Sequence, residues 1–539
     1  MRRLSVFVVA AFLALLEVAP LRGQSRSPLK TTLGFSAWQH PAPQLPPPEG
    51  LEDHVANGKL VLSVDDSIRL ALVNNTDIHV NRSQIDFAAN NLERSHSPFD
   101  PVATSSFSDI RTESLPTSTL QGAPLVSNLS QATVIGYQQL FPTGTAFQTT
   151  FNANKFSTNS SFNIVNPSVT TNMQFTVTQP FLRNFGLFPN RAPILIAQNN
   201  LKQARANFTA EVDNIILQVV RDYWSVILAR ENLEVQRKSL DEAQKSYEHD
   251  KKALSLGALP PLDIYRSESQ VASRRVGVIQ AEYALKQTAD VFRQDIGADL
   301  NPAIRALDLD LTDQPAPTGE LPSMDIATAL ARAVANRPEF EAARQQLASD
   351  ELAIRLEQNN LKPDLALSGF YLGNGLNSSA TGVDIGLSGA LSQSFQFTYP
   401  TYGASLSLTL PVRRHSAQAN LADALVGRSR DQYQERRTNQ SITLEVTNAV
   451  HALEQAKLSM EAAKVAESLA VDTLHADERK YELGAEPVFF VLDAQTQLAQ
   501  AELNLIQSQV NFQVAVAQVD HATGDLLDRH HVQIVEPHK

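Results

Sequence analysis

The chain has no cysteine among its 539 residues. That excludes disulfides, thiolate metal sites, a cysteine nucleophile and a lipid-modified cysteine at a mature N-terminus. Tryptophan (2) and methionine (4) are scarce, and beyond the N-terminus no stretch approaches the roughly 18 apolar residues needed for a membrane-spanning helix. If the chain crosses a membrane, it does so with strands. Cations are in deficit: 45 Lys and Arg face 57 Asp and Glu, for a formal net charge of -12. Such a chain is poorly suited to nucleic acid, whose phosphates require clustered Lys and Arg. There is no H-E-x-x-H, no phosphate-cradling glycine loop and no nucleophile elbow, so neither an enzyme nor a cofactor is expected.

Residues 1–23 read as an export signal: Arg2 and Arg3, an apolar run from Leu4 to Leu16, and the small Gly23. Its loss removes Arg2, Arg3, Arg22 and Glu17 and takes the charge to -14. The short basic segment, with no cofactor motif after it, favours the general secretory route over the twin-arginine one. Residues 24–60 carry Pro41, Pro43, Pro46, Pro47 and Pro48, the composition of an extended strap or linker.

What the chain does have is one plan written twice, about 262 residues apart. Ile68, Ala71, Asn74, Asp77, Ile78 and Pro101 return as Leu330, Ala333, Asn336, Glu339, Phe340 and Pro363. The spacing predicts a first unit over 61–297, a mid-height linker over 298–323, a second unit over 324–524 and a tail over 525–539. Ser63 and Asp66 have capping-box spacing and open the first helix, which is expected to end before Pro98 and Pro101. Over 100–180 the period changes: Phe147, Thr149, Phe151 and Ala153 alternate with Gln148, Thr150 and Asn152, and Met173, Phe175 and Val177 alternate with Gln174, Thr176 and Thr178. In the second unit, over 363–411, Leu406, Leu408 and Leu410 alternate with Ser405, Ser407 and Thr409. Strands with one greasy and one hydroxyl or amide face suit a bilayer-spanning barrel with a watery lumen; taken alone, they also suit a sandwich with one solvated face.

The long helices that flank the strands shift the balance toward the barrel. Ile216, Val220, Tyr223, Ile227, Leu233, Leu240, Ala243 and Tyr247 keep a coiled-coil spacing over about 190–256, and Val446, Ala449, Leu453, Ala456, Met460 and Ala463 do so over about 412–483. Each helix would span roughly 100 Å at about 1.5 Å per residue. Each ends at a Leu-Gly break, Gly257 or Gly484, followed by a shorter helix (about 262–296 and 488–523) that closes on Gly297 or Gly524, 40 residues past the break. The shorter helix returns only halfway, and the helix over 324–361 would complete the first return, so short helices stack end to end beside long ones. The fold class is α+β: a long coiled-coil helical barrel continuous with a transmembrane β-barrel, built from two repeats per chain, with several chains needed for closure.

At this point the chain resembles the TolC-like outer-membrane efflux proteins of Gram-negative bacteria over about 60–524. The resemblance rests on "IRLALVNNTDI" (68–78), "LARAVANRPEF" (330–340) and the tip "YELGAEPVFFVLDAQ" (481–495). It implies a homotrimer with a twelve-stranded barrel in outer-membrane lipid and a helical tunnel in the periplasm, opened when a periplasmic adaptor and an inner-membrane transporter dock. The duct would be passive, part of a tripartite efflux or type I secretion system, carrying whatever its pump selects. The alternative is a periplasmic coiled-coil scaffold or adaptor without a pore.

The resemblance also implies site residues. Tyr481 and Asp263 match a pair that holds the tunnel shut, although Glu486 stands where the family carries the joining Arg. Asp493 matches one of two constriction aspartates, and Phe490 replaces the other. The tips that adaptors meet are Leu256, Gly257 and Ala258, with Leu483, Gly484 and Ala485. Bland readings stand beside these: Asp263 as a first-turn acid favoured by the helix dipole, Glu486 before Pro487 as a helix start, and Asp493 as a solvated carboxylate. His530-His531 reads as a solvated tail, with no metal ligand set. Finally, Asn74 to Pro180 is 31 residues longer than Asn336 to Pro411, and the excess includes the turn signal "LFPTGTAF" (140–147). It could form a rim hairpin or two further barrel strands. The rim is favoured, because an enlarged barrel must still fit the helical cylinder.

Overall fold

A computed structural model describes residues 45–161, 163, 165–256, 262–317, 321, 323–377, 385–483 and 485–532, with only the backbone of Asp263. The chain divides into Met1–Pro47 and Pro48–Lys539, and all described secondary structure lies in the second unit. The expected export signal lies outside the described residues.

Strands β1 (Val55–Ala56) and β2 (Lys59–Leu62) come first, so the strap expected over 24–60 ends in a sheet. Ser63 then opens helix α1 (Val64–Asn74): its hydroxyl accepts from the Asp66 amide at 3.2 Å, while the Asp66 carboxylate accepts from the Ser63 amide at 3.3 Å. Asn75 interrupts the expected single helix. Its extended backbone ends α1, and its side chain caps α2 (Thr76–Ser95) by accepting from the amides of Asp77 and Ile78.

Four strands follow where the alternation lies: β3 (Val102–Ser114), β4 (Val126–Leu140), β5 (Ala146–Thr158) and β6 (Ser168–Pro180). Next come α3 (Leu187–Ser255), α4 (Asp263–Asp295), the single-turn α5 (Pro302–Arg305) and β7 (Asp308–Leu311). β7 lies parallel to β2, so part of the expected linker completes a small sheet in the order β1-β2-β7. α6 (Ile326–Asn336) and α7 (Pro338–Asn360) are split at Arg337 because Pro338 disfavours a helical residue before it. The chain ends with β8 (Asp364–Leu376), α8 (Gly386–Phe395), β9 (Tyr399–Thr409), α9 (His415–Glu482), α10 (Val488–Thr523) and α11 (Leu526–Arg529).

The large sheet has the order β3-β4-β5-β6-β8-β9, with every neighbouring pair antiparallel. The 31 extra residues therefore add two full-length strands to the sheet, not a hairpin on its rim. Register keeps the two faces distinct from β6 to β9, while the apolar face also carries Asp109, Arg111 and Glu113 of β3 and Lys155 of β5. Phe151 lies opposite Met173, Phe175 opposite Tyr371, and Tyr371 opposite Tyr402 on the apolar face. Gln148 lies opposite Thr176 and Asn152 opposite Asn172 on the polar face, where the Thr178 and Ser368 hydroxyls are 2.9 Å apart. α8 rests on the apolar face. Phe395 stacks on Phe151 at 5.5 Å, and Thr171 donates to the Ala390 carbonyl at 2.8 Å. Gly375 and Gly373 make room for it, since a Cβ there would strike the carbonyls of Ala390 and Ser394.

The helical core follows the predicted stripes. Ile216, Val220, Tyr223 and Ile227 of α3 pack with Ile68 and Phe292, while Val446, Leu453 and Met460 of α9 pack with Phe512 and Val519 of α10. End-to-end stacking occurs, with different partners from those expected. Asn75 donates to the Asp295 carbonyl at 2.9 Å, so α4 is continued by α2; Arg337 donates to the His521 carbonyl at 3.2 Å, so α10 is continued by α7. Gly297 and Gly524, both at positive φ, close α4 and α10 against Asn74 and Asn336, and a Cβ on Gly297 would lie 2.6 Å from that of Asn74.

Candidate functional site

The two helix turns expected as tips lie at the end of α3 and between α9 and α10. Leu256 and Leu483 are 83% and 71% exposed, and Ala485 is also exposed. Gly257, Ala258 and Gly484 lie outside the described residues. At the second tip the Ala485 amide donates to the Lys480 carbonyl at 2.9 Å, and Pro487 leads into α10.

Glu486 is held by its own strand of chain: Lys480 Nζ lies 3.1 Å from one of its oxygens and 3.0 Å from Asp477. The Lys480 ammonium is stabilised by those two carboxylates, Asp477 first, so its pKa is raised. Lys480, six residues earlier, thus gives Glu486 a cationic partner within the same turn.

Tyr481 meets a residue that the sequence reading did not single out. Its hydroxyl lies 3.4 Å from Asp250 Oδ1 and 3.5 Å from His249 Nδ1, with the two rings edge to face at 5.7 Å. Asp250, on α3, is fully buried, and its other oxygen accepts from the buried Ser267 hydroxyl of α4. Burial, then the Asp250 charge, raises the Tyr481 pKa, which keeps the phenol protonated as a donor. Three helices are thereby tied near the tips. The signal in the sequence was positional: Asp250 continues the stripe Ala243, Tyr247, where an apolar residue belongs. The side chain of Asp263 lies outside the described residues.

Asp493 and Phe490 sit together on one exposed face of α10, with Gln497 donating to Asp493 at 2.6 Å. Phe490 is 46% exposed and packs edge to face on Phe489. The opposite face of α10 buries Val491, Ala494 and Leu498 against Leu474 of α9. Beyond Asp493 the exposed face continues in amides, with Gln500 donating to Asn504 at 3.0 Å and Gln507 to Asn511 at 2.8 Å. A single carboxylate at the tip end of an uncharged polar stripe can set ion preference there.

Midway along the helices, His521 lies 3.1 Å from Glu445 and 3.5 Å from Asp213, and Arg337 bridges Glu445 and Glu339. Burial raises the Asp213 pKa to about 6 against the pull of His521 and Arg337. Burial also resists ionisation of Glu445, but the His521 hydrogen bond and Arg337 outweigh it and hold its carboxyl at about 2. Asp295, at the end of α4, is pushed well above the usual carboxylate range by burial and by Asp222 beside it. His530 is no solvated tail residue, for its Nδ1 lies 2.7 Å from Asp65. Among the described residues, no group of three or more His, Asp or Glu side chains is placed to hold a metal.

Two segments, 146–298 and 329–525, match the profile of the outer membrane efflux protein family. The chain belongs to the outer membrane efflux protein family. It is 23% identical over 337 residues to outer membrane protein TolC of Vibrio cholerae serotype O1, covering 62% of this chain and 73% of TolC. Among solved structures it resembles the CmeC outer membrane channel of Campylobacter jejuni (TM-score 0.63, 15% identity, 94% of each chain). It also resembles the MtrE outer membrane channel of Neisseria gonorrhoeae in its open state (TM-score 0.58, 17% identity, 90% of this chain and 98% of MtrE). Family membership places the protein in the bacterial outer membrane, with its helical part in the periplasm, as a transport channel.

Proposed function

We propose that the protein is the passive exit duct of a tripartite efflux or type I secretion system: a homotrimer whose strands cross outer-membrane lipid and whose helices line a periplasmic tunnel. The observation that carries this reading is the sheet. It has a polar and an apolar face, two open edges, and direct continuity with helices of 69 and 68 residues. Open edges are not tolerated in lipid, so several copies must close the wall. The exposed leucines at the two tips are suited to hairpins of a periplasmic adaptor, through which an inner-membrane transporter would supply energy.

In this reading Phe490 and Asp493 of each copy converge on the constriction. Three carboxylates there would attract cations and be blocked by multivalent ones, in a field focused by low-dielectric walls. Asp493→Asn keeps the shape and deletes the charge. In planar bilayers, cation selectivity should fall, and block by a trivalent cation should weaken most at low salt. Unchanged selectivity and block would make Asp493 an ordinary solvated carboxylate. Separately, a detergent-solubilised particle with the mass of one chain would rule out the trimeric duct.

A further inference from the structure

Each chain supplies six full strands to the wall, in an unbroken antiparallel order. The order begins at β3 and ends at β9, and neither edge pairs with the other. Every residue of β3 and all but one of β9 are exposed, whereas the four strands between them are mostly half-buried. Because six is even and every pair is antiparallel, β3 and β9 run in opposite directions. A β3 edge of one copy can therefore continue the antiparallel ladder onto the β9 edge of the next, with no change of pattern at the seam.

We infer that three copies close a single eighteen-stranded barrel, with β3 of each chain hydrogen-bonded to β9 of its neighbour. The number of copies rests on the trimeric duct proposed for this chain. Barrel diameter grows roughly linearly with strand number, so this wall is roughly half as wide again as one built from four strands per chain. At about 4.8 Å between strands and about 45° of tilt, the backbone ring is about 39 Å across; twelve strands would give about 26 Å. The polar face that lines it carries, among the described strand residues, one charge, Asp364, and that carboxylate is already paired with Arg183 at 2.7 Å. The exit is a wide, uncharged mouth, and ion preference is left to the tips.

The absence of cysteine makes the test clean. Ser407→Cys and, as an independent second site, Ser405→Cys place one spin label per chain on the polar face of β9. The full-length particle in detergent is weighed, and label-to-label distances are read by pulsed electron paramagnetic resonance. Three chains with distances near about 23 Å are expected, the ring chord shortened because each label reaches roughly 6 Å into the lumen. Three chains with distances near about 12 Å, the value for labels inside a twelve-stranded ring, would overturn the inference and leave the trimer standing. A particle of one or two chains would overturn both.

Discussion

The Tyr481 hydroxyl lies 3.4 Å from Asp250 Oδ1, across 231 residues of sequence, and joins the end of α9 to the buried carboxylate of α3. A half-buried bond of that length is worth about 1 kcal/mol, which is roughly fivefold in an open-to-closed equilibrium. Tyr481→Phe and Asp250→Asn should each raise single-channel conductance or open time in planar bilayers. Asp263→Ala is the comparison: if it alone opens the channel and the other two do not, the latch runs through Asp263.

Phe490 is predicted to narrow the constriction without selecting among ions. Phe490→Ala should raise conductance and leave the reversal potential in a salt gradient where it was. A shift in reversal potential as large as that of Asp493→Asn would mean that the two side chains act as one unit.

Arg337 is buried between Glu339 and Glu445 and also caps α10 through the His521 carbonyl. Arg337→Met would leave Glu445 short of its cation. The expected loss is about 3 kcal/mol, at the low end for a broken buried pair because Glu445 keeps some solvent. Thermal unfolding in detergent measures it, and restoration by adding Glu445→Gln would attribute the loss to the orphaned charge.

The raised pKa of Asp295 carries a definite sign. A carboxyl held above its unfolded value binds its proton more tightly when folded, so its stabilising contribution is complete at low pH and is lost as pH rises through the folded value. Asp213, at about 6, acts in the same direction, while Glu445, at about 2, acts in the opposite one and loses its contribution only as pH falls toward that value. Asp295→Asn should therefore match the parent near pH 4 and exceed it in unfolding temperature near pH 8. Parallel curves across that range would refute the assignment.

Gly375 is predicted to be intolerant of a larger residue. Gly375→Val would drive a side chain into the Ala390 carbonyl and lift α8 from the sheet, lowering thermal stability, whereas Gly369→Ala on the same strand meets open space and should be neutral. Equal effects at the two positions would show that the seat of α8 does not depend on that gap.

Local chemistry made most elements legible. The stripe from Ile216 to Tyr247 placed α3 within three residues of its observed ends, and Ser63 with Asp66 announced the start of α1. Two breaks were hidden, at Asn75 and Arg337, because the helical period runs on through a residue whose extended backbone is set by capping or by the proline after it. At the tips, Tyr481, Glu486, Phe490 and Asp493 were visible as residues, but their neighbours were not. Asp250 and Lys480 entered only when the helices were packed.

By itself the sequence determined that this chain alternates two-faced strands with very long paired helices, since both periods are local properties of side-chain order. Tertiary structure alone decided that the segment around "LFPTGTAF" joins the sheet as two full strands, that α4 is continued by α2, and that Tyr481 turns to Asp250. Each of these depends on hydrogen bonds and contacts between residues far apart in the chain. Periodicity says which face of a strand or helix is apolar, but not which other face will cover it.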